Sequence, residues 1–359
     1  MMKIKIITQV AFMMLMASMS SCDSPGKYYS VSDFGKVKKI DAHFHYLTPD
    51  ERYMRFAISQ NFKLLTPIWD GEVSIKDQLL VSTKIRRTFP DDYAFFTTFP
   101  VDSFYTSGFA DNTIALIAEA IRSGATGVKI WKNIGMVLKD SAGRFVMIDD
   151  PVFDPVFGYL ETNHIPVIGH LGEPKDCWLS FEKMTDPGDI SYYKNNPQYY
   201  MFMHPEVPSY EQQIRARDNL LRKHPGLDFT GAHLASLEWN VDEIAKRLDS
   251  FPNLKVDLAA RMYHLQYQSK LDREHVRDFM IKYQDRIVYG TDNEVHDSDN
   301  ADSSKILENL GKGWLSQWIY LATDSDMGIK GLKLPKKVID KIYYKNSIRY
   351  FHLDKKETN

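Results

Sequence analysis

Residues 37–46 read VKKIDAHFHY. A short apolar strand pattern runs into His43-Phe-His45, and side chains two apart on a strand face the same side. Both imidazoles therefore leave the end of the strand together. Alone, such a pair is more often a hydrogen-bonded core feature than a metal site. Seven further segments of the same kind follow: NFKLLTPIWD from Asn61, DYAFFTTFP from Asp92, GVKIWKN from Gly127, IPVIGHLGE from Ile165, LDFTGAHLAS from Leu227, LKVDLAARM from Leu254 and RIVYGTDN from Arg286. Each is rich in β-branched or aromatic residues and ends in polar residues or glycine. Helical patterns lie between several of them, at 114–124, 210–226, 241–252 and 274–285.

Strand alternating with helix argues for βαβ units and a parallel sheet. Eight units favour closure into a barrel, so the expected fold class is α/β, a (β/α)8 TIM-like barrel over residues 37–353 with a tail at 354–359. No Gly-x-Gly-x-x-Gly follows any segment, which removes the usual reason to expect a dinucleotide fold. Two stretches are too long for short loops. Residues 174–209, after the fifth segment, carry Trp178, Phe181, Tyr192, Tyr193, Tyr199, Tyr200 and Phe202; residues 294–333, after the eighth, carry Trp314 and Trp318. Loops that follow strands build the catalytic face of a barrel, so both are read as lid or pocket wall. A subunit interface, and with it a homodimer, uses aromatic residues equally well.

Ligand types recur at the strand ends. His170 ends the fifth segment, His233 the sixth and Asp292 the eighth. In a parallel barrel these ends converge, so His43, His45, His170, His233 and Asp292 become neighbours. Imidazoles and a carboxylate around one point suit Zn²⁺ or a similar divalent ion. Arg261, after the seventh segment, fits either a substrate carboxylate, through a two-pronged hydrogen bond, or a salt bridge at the rim. Glu173 and Asp41 are read as groups that orient the histidines. His164, His204, His224, His264, His275, His296 and His352 are read as non-ligands.

The amino terminus is set apart. Met1 to Lys5 is a short basic run, Ile6 to Met19 is mostly apolar, and small residues lead to Cys22. That is a secretory signal layout, too short for the roughly 20 residues of a spanning helix. The expectation is a lipoprotein signal over 1–21, lipidation at Cys22, a tether over 22–36 and a bacterial envelope location, with the lipid as the sole membrane contact. Plain secretion is the alternative. The chain has 359 residues, a net charge of −2 and 43% hydrophobic residues, with no basic block or acidic tail. Nothing there points to nucleic acid. With Cys22 lipidated, Cys177 has no partner for a disulfide.

Four motifs in order, IDAHFH from Ile40, GHLGEP from Gly169, GAHLAS from Gly231 and YGTDN from Tyr289, resemble the amidohydrolase superfamily and, within it, the amidohydrolase family 2 group of metal-dependent hydrolases and decarboxylases. The closing LPKKVIDKIYYKNSIRYF from Leu334 resembles that group's last helix. The resemblance implies His43, His45 and His170 as metal ligands. It also implies Asp292 as the acid that touches the metal and handles a proton, and His233 as the histidine that polarises the substrate or holds a second metal. GVKIW at Lys129 resembles the segment that supplies a carboxylated lysine between two metals in some relatives; the alternative is a free lysine that binds an anionic substrate. One metal is expected, and two if Lys129 is carboxylated. The leading functional expectation is a hydrolase in which metal-activated water attacks an amide, ester or lactone of a small molecule, with Asp292 and His233 catalytic. The runner-up is a non-oxidative decarboxylase of a small carboxylic acid, and the third a non-catalytic envelope binding protein.

Overall fold

The computed structural model describes residues 26–354. The signal segment and Cys22 lie outside the described residues. All eight segments form strand. The first splits in two, β1 (Lys39–Asp41) and β2 (Phe44–Leu47), and is followed by β3 (Phe62–Pro67), β4 (Tyr93–Phe96), β5 (Val128–Ile130), β6 (Val167–Gly169), β7 (Phe229–Gly231), β8 (Leu254–Asp257) and β9 (Ile287–Val288). A short β10 (Asn293–His296) pairs with β2. Every pairing is parallel: β1 with β3, β3 with β4, and β5 through β9 in sequence.

Two junctions complete the ring with two hydrogen bonds each. Thr97 N donates to Gly127 O (2.9 Å) and Lys129 N to Thr97 O (2.6 Å), joining β4 to β5. Ala42 N donates to Tyr289 O (3.0 Å) and Asp292 N to His43 O (2.7 Å), joining β9 back to β1. Gly290 makes the second junction feasible, because a Cβ there would sit 2.8 Å from the Cβ of His43. The chain thus forms the expected barrel.

Strand alternation sorts the core into two. Leu64, Val128, Ile130, Val167, Phe229, Leu254, Val256 and Ile287 face outward and pack with the helices. Ile40, Leu65, Ala94, Phe96, Ile168 and Val288 fill the barrel interior together with Phe351, whose ring meets Phe96 edge-on at 5.2 Å. Since Val128 and Ile130 face out, Lys129 faces in; since Leu254 and Val256 face out, so do Lys255 and Asp257 face in. That parity resolves which residue of the GVKIWKN segment enters the barrel.

The helices match the sequence patterns, at Phe109–Arg122, Tyr210–Lys223, Val241–Ser250 and Arg273–Lys282. Among the described residues no helix is long and apolar enough to cross a membrane. Two expectations need correction. Residues 28–34 of the tether pack onto the barrel: Tyr29 Oη donates to Asp340 (2.8 Å), Trp318 Nε1 to Ser30 O (3.1 Å), and Phe34 enters the core. Trp314 and Trp318 are core residues on the helix Ser303–Ala322, not pocket wall; Trp314 stacks on Phe62 at 4.4 Å. A 20-residue helix here has an apolar face to bury, and the two tryptophans, four apart, supply it.

Candidate metal centre and active site

At the carboxyl ends of the strands lies a cavity of about 510 Å³. It holds His43, His45, Lys129, His170, His233, Arg261 and Asp292 together, so every expected site residue among the described ones reaches one pocket. The insertion after β6 supplies Tyr192, Tyr193 and Tyr199 as walls, together with Trp69 and Trp131. From residues 294–333, Glu294 and His296 alone line it among the described residues.

One ligand group that opens to the cavity is His43, His45 and Asp292, whose ligand atoms lie within 4.8 Å of one another. Asp292 Oδ1 is 3.2 Å from Nε2 of each histidine. His43 Nδ1 faces Asp257 Oδ2 at 2.8 Å. A carboxylate only accepts, so Nδ1 carries the proton and Nε2 the lone pair. That lone pair meets the Asp292 oxygen, and two acceptors this close need a cation between or beside them. Lys129 Nζ, 3.1 Å from His43 Nε2, is one such cation. A divalent ion also fits, with His43, His45 and Asp292 as ligands.

A second chain of tautomers reaches the same place. His233 Nδ1 lies 3.0 Å from Ala259 O, so it must donate, and His233 Nε2 then accepts from His170 Nδ1 at 3.2 Å. His170 Nε2 keeps its lone pair, is buried, and has no hydrogen-bond partner. That nitrogen is free to take a ligand, but His170 is not among the residues whose ligand atoms gather with those of His43, His45 and Asp292. His170 touches the triad only through His233, whose ring is 4.2 Å from His170 and 4.9 Å from His43.

Electrostatics follow burial. It pushes His43 down, helped by Lys129, and His233 down to about 3, so both are neutral in neutral solution. Lys129 is lowered to about 8 by burial. Burial also pulls Asp292 upward, but His233, His43 and His45 outweigh it and hold the carboxyl well below the usual range.

Backbone strain gathers at these residues. His233, Leu234, Ala235 and Ser236 have φ between 54° and 58°, a left-handed turn without a glycine, and Asp292 has φ 65°. Left-handed backbone costs about 1–2 kcal/mol per residue, so the surroundings must hold it. Asp257 Oδ1 accepts from His233 N (2.7 Å), Ser236 Oγ reaches Gly172 O (3.1 Å), and Tyr210 Oη reaches Ser236 O (2.5 Å). Buried Arg217 donates to Ala235 O.

Sequence reasoning missed Asp257, which orients His43 with one oxygen and fixes His233 with the other. Strand parity in LKVD was the available signal. Asp41 does not orient a histidine ring. It accepts from Thr291 N (3.0 Å), Thr291 Oγ1 (2.6 Å) and Trp314 Nε1 (3.0 Å), and so anchors the turn that carries Asp292. Glu173 pairs with Lys132 and stands 3.9 Å from His170 Nε2.

A parallel barrel with imidazoles and a carboxylate at its strand ends defines a metal-dependent barrel enzyme. The chain belongs to the amidohydrolase family, whose sequence model matches residues 90–353. His43 and His45 lie ahead of the matched span and are attached to the site by geometry. No curated protein matches the chain in sequence. Among solved structures, 2,6-dihydroxybenzoate decarboxylase from Rhizobium superposes with a TM-score of 0.53 at 13% identity, covering 89% of this chain and 100% of that one. An uncharacterized TIM-barrel protein from Bordetella bronchiseptica gives 0.52 at 16% identity, covering 88% and 99%. These likenesses establish the shared fold.

Proposed function

We propose that the protein is a metal-dependent, non-oxidative decarboxylase of a small aromatic or enoic acid. The observation that carries this reading is two cations, buried Lys129 and half-buried Arg261, facing an aromatic-walled cavity. Among the described residues Arg261 has no carboxylate within 4 Å, its Nε is without a partner, and its one hydrogen bond runs from Nη1 to Ala260 O (3.0 Å). Among the described residues Lys129 hydrogen-bonds with His43 alone, in the field of Asp257 and Asp292. Arg261 lies in the field of Glu238 and Asp189 without an ion pair to either, so its guanidinium is open to a substrate carboxylate, which it matches through two parallel bonds. Trp69, Trp131, Tyr192, Tyr193 and Tyr199 offer flat apolar faces to a ring.

A divalent ion, Zn²⁺ or one of similar chemistry, held by His43, His45 and Asp292 with His170 beside it, would supply positive charge to the substrate's acid oxygens. Arg261 and Lys129 orient the carboxylate. When the C–C bond breaks, its electron pair stays on the substrate carbon, CO₂ leaves, and that carbon takes a proton. Asp292, open to the cavity, is placed to pass that proton. The aromatic wall keeps bulk water from the carbon.

Hydrolysis of an amide, ester or lactone is the second reading, favoured by the same ligand set. The hydrogen bonds of His233 weigh against it: its neutral form accepts at Nε2 from His170 and so offers no N–H to a developing oxyanion. A screen of aromatic acids, amides and lactones, read by product mass, separates the readings. Loss of CO₂ from an acid supports decarboxylation, and addition of water to an amide or lactone supports hydrolysis.

A further inference from the structure

We propose that a second divalent-cation site lies at the seam between the aromatic insertion and the barrel, with Asp176, Asp189 and His264 as its ligands. The three offer ligand atoms within 4.8 Å of one another. Asp176 and Asp189 belong to the insertion; His264 stands on the helix Met262–Leu271 that follows β8. None of them contributes to the His43, His45 and Asp292 triad.

His264 is the observation that points to a ligand. Its side chain is 2% exposed, and neither ring nitrogen has a hydrogen-bond partner. Nε2 lies 3.7 Å from Asp189 Oδ2, and Nδ1 lies 3.9 Å from Asp186 Oδ2. Both separations are too long for hydrogen bonds. Two ligands of one ion, each bonded at about 2.0–2.2 Å, stand roughly 3.3 Å apart, so the Nε2–Oδ2 pair needs to close by only a few tenths of an ångström. Asp186, on the other edge of the ring, is placed to take the Nδ1 proton and leave the Nε2 lone pair for the ion, the usual arrangement behind a metal-bound histidine.

Charge and loop structure agree. Asp176, Asp186, Asp189 and Glu238 bring four carboxyl groups to this seam, with Arg261 acting on Asp186, Asp189 and Glu238. Asp189 Oδ2 and Glu238 Oε2 are buried without hydrogen-bond partners. Asp176 is pinned in place, accepting from Thr185 N (2.8 Å) and Asp186 N (3.1 Å) with Oδ2. Two carboxylate oxygens and an imidazole suit Zn²⁺ or Mn²⁺. An ion here would clamp the insertion to the barrel, and Asp189 and Arg261 both line the active cavity. Its occupancy would therefore set the shape of the substrate-facing wall.

The test is metal counting on the purified full chain after dialysis, with hydrogen exchange over residues 174–209. The wild type should carry two ions. His43→Ala with His45→Ala leaves the seam intact and should keep one. His264→Ala should also keep one, while protection of 174–209 falls; Asp176→Asn, which retains an oxygen for Thr185 and Asp186, should do the same if His264→Ala does not fold. A triad double variant that carries no ion would overturn the proposal, as would folded seam variants with wild-type metal content.

Discussion

Replacing Asp257 by Asn removes one charge and changes almost no volume, yet it should weaken the metal centre from behind. In the wild type Oδ2 accepts from His43 Nδ1 at 2.8 Å, while Oδ1 accepts from His233 N at 2.7 Å and Ala259 N at 3.2 Å. An asparagine has one accepting oxygen for those two places. If the oxygen stays on the backbone amides, the NH₂ faces His43 Nδ1, and the ring must move its proton to Nε2. That proton then points at Asp292, where a lone pair is needed for the ion. If the amide flips, two buried N–H groups face a donor. Partners that orient a metal-bound histidine are worth about 10–100-fold in affinity, or about 1.4–2.7 kcal/mol. The metal-free fold also loses a buried charge-assisted hydrogen bond, about 1.5–3 kcal/mol. Competition titration against a chelating dye reads the first quantity, and urea unfolding of the chelated protein the second. A folded Asp257→Asn protein that binds metal within twofold of the wild type would refute the tautomer argument and, with it, the assignment of His43 Nε2 as a ligand.

Further outcomes are expected. Arg261→Met keeps most of the side-chain volume but loses the guanidinium, so KM for a carboxylate substrate should rise about 10–100-fold; competitive inhibition by a neutral aromatic analogue, unchanged by the substitution, makes the effect specific to charge. Burial raises the Glu238 carboxyl from 4.5 to about 7, so the folded chain holds a proton that the unfolded chain releases. The stability tied to Glu238 is then full below about pH 4.5, falls as pH rises towards 7, and levels off above; Glu238→Gln should flatten that slope in urea titrations of the chelated protein. For the amino terminus we propose lipidation at Cys22 and an envelope location: the mature chain should begin at Cys22, and Cys22→Ala should move it from the detergent to the aqueous phase or block processing.

The barrel was legible because its signals are local. Each strand is a short β-branched or aromatic run, and His43, His45, His170, His233 and Asp292 mark strand ends that a parallel barrel must bring together. Asp257 was legible in principle, since the outward Leu254 and Val256 turn it inward, but a single acid in LKVD carries no signal until its partner is known. The left-handed turn at His233–Ser236 was not legible, because nothing in HLAS signals positive φ and the stabilising partners Arg217 and Tyr210 are distant in sequence. Nor was the role of Trp314 and Trp318: a tryptophan in a long insertion reads as pocket wall until the helix that buries it is seen. The seam of Asp176, Asp189 and His264 joins residues from separate elements with no shared period, and it exists only in three dimensions.

The central claim is that this site removes CO₂ from a small acid rather than adding water across a bond. It is tested most directly by giving the metal-loaded protein aromatic and enoic acids labelled with ¹³C in the carboxyl group, in water enriched in ¹⁸O. The expected result is ¹³CO₂ in equal amount with a product that lacks the carboxyl and has gained one hydrogen at that carbon, and no release from the His43→Ala, His45→Ala protein. Products from amide or lactone substrates that carry ¹⁸O, with every ¹³C label retained in the acids, would contradict it.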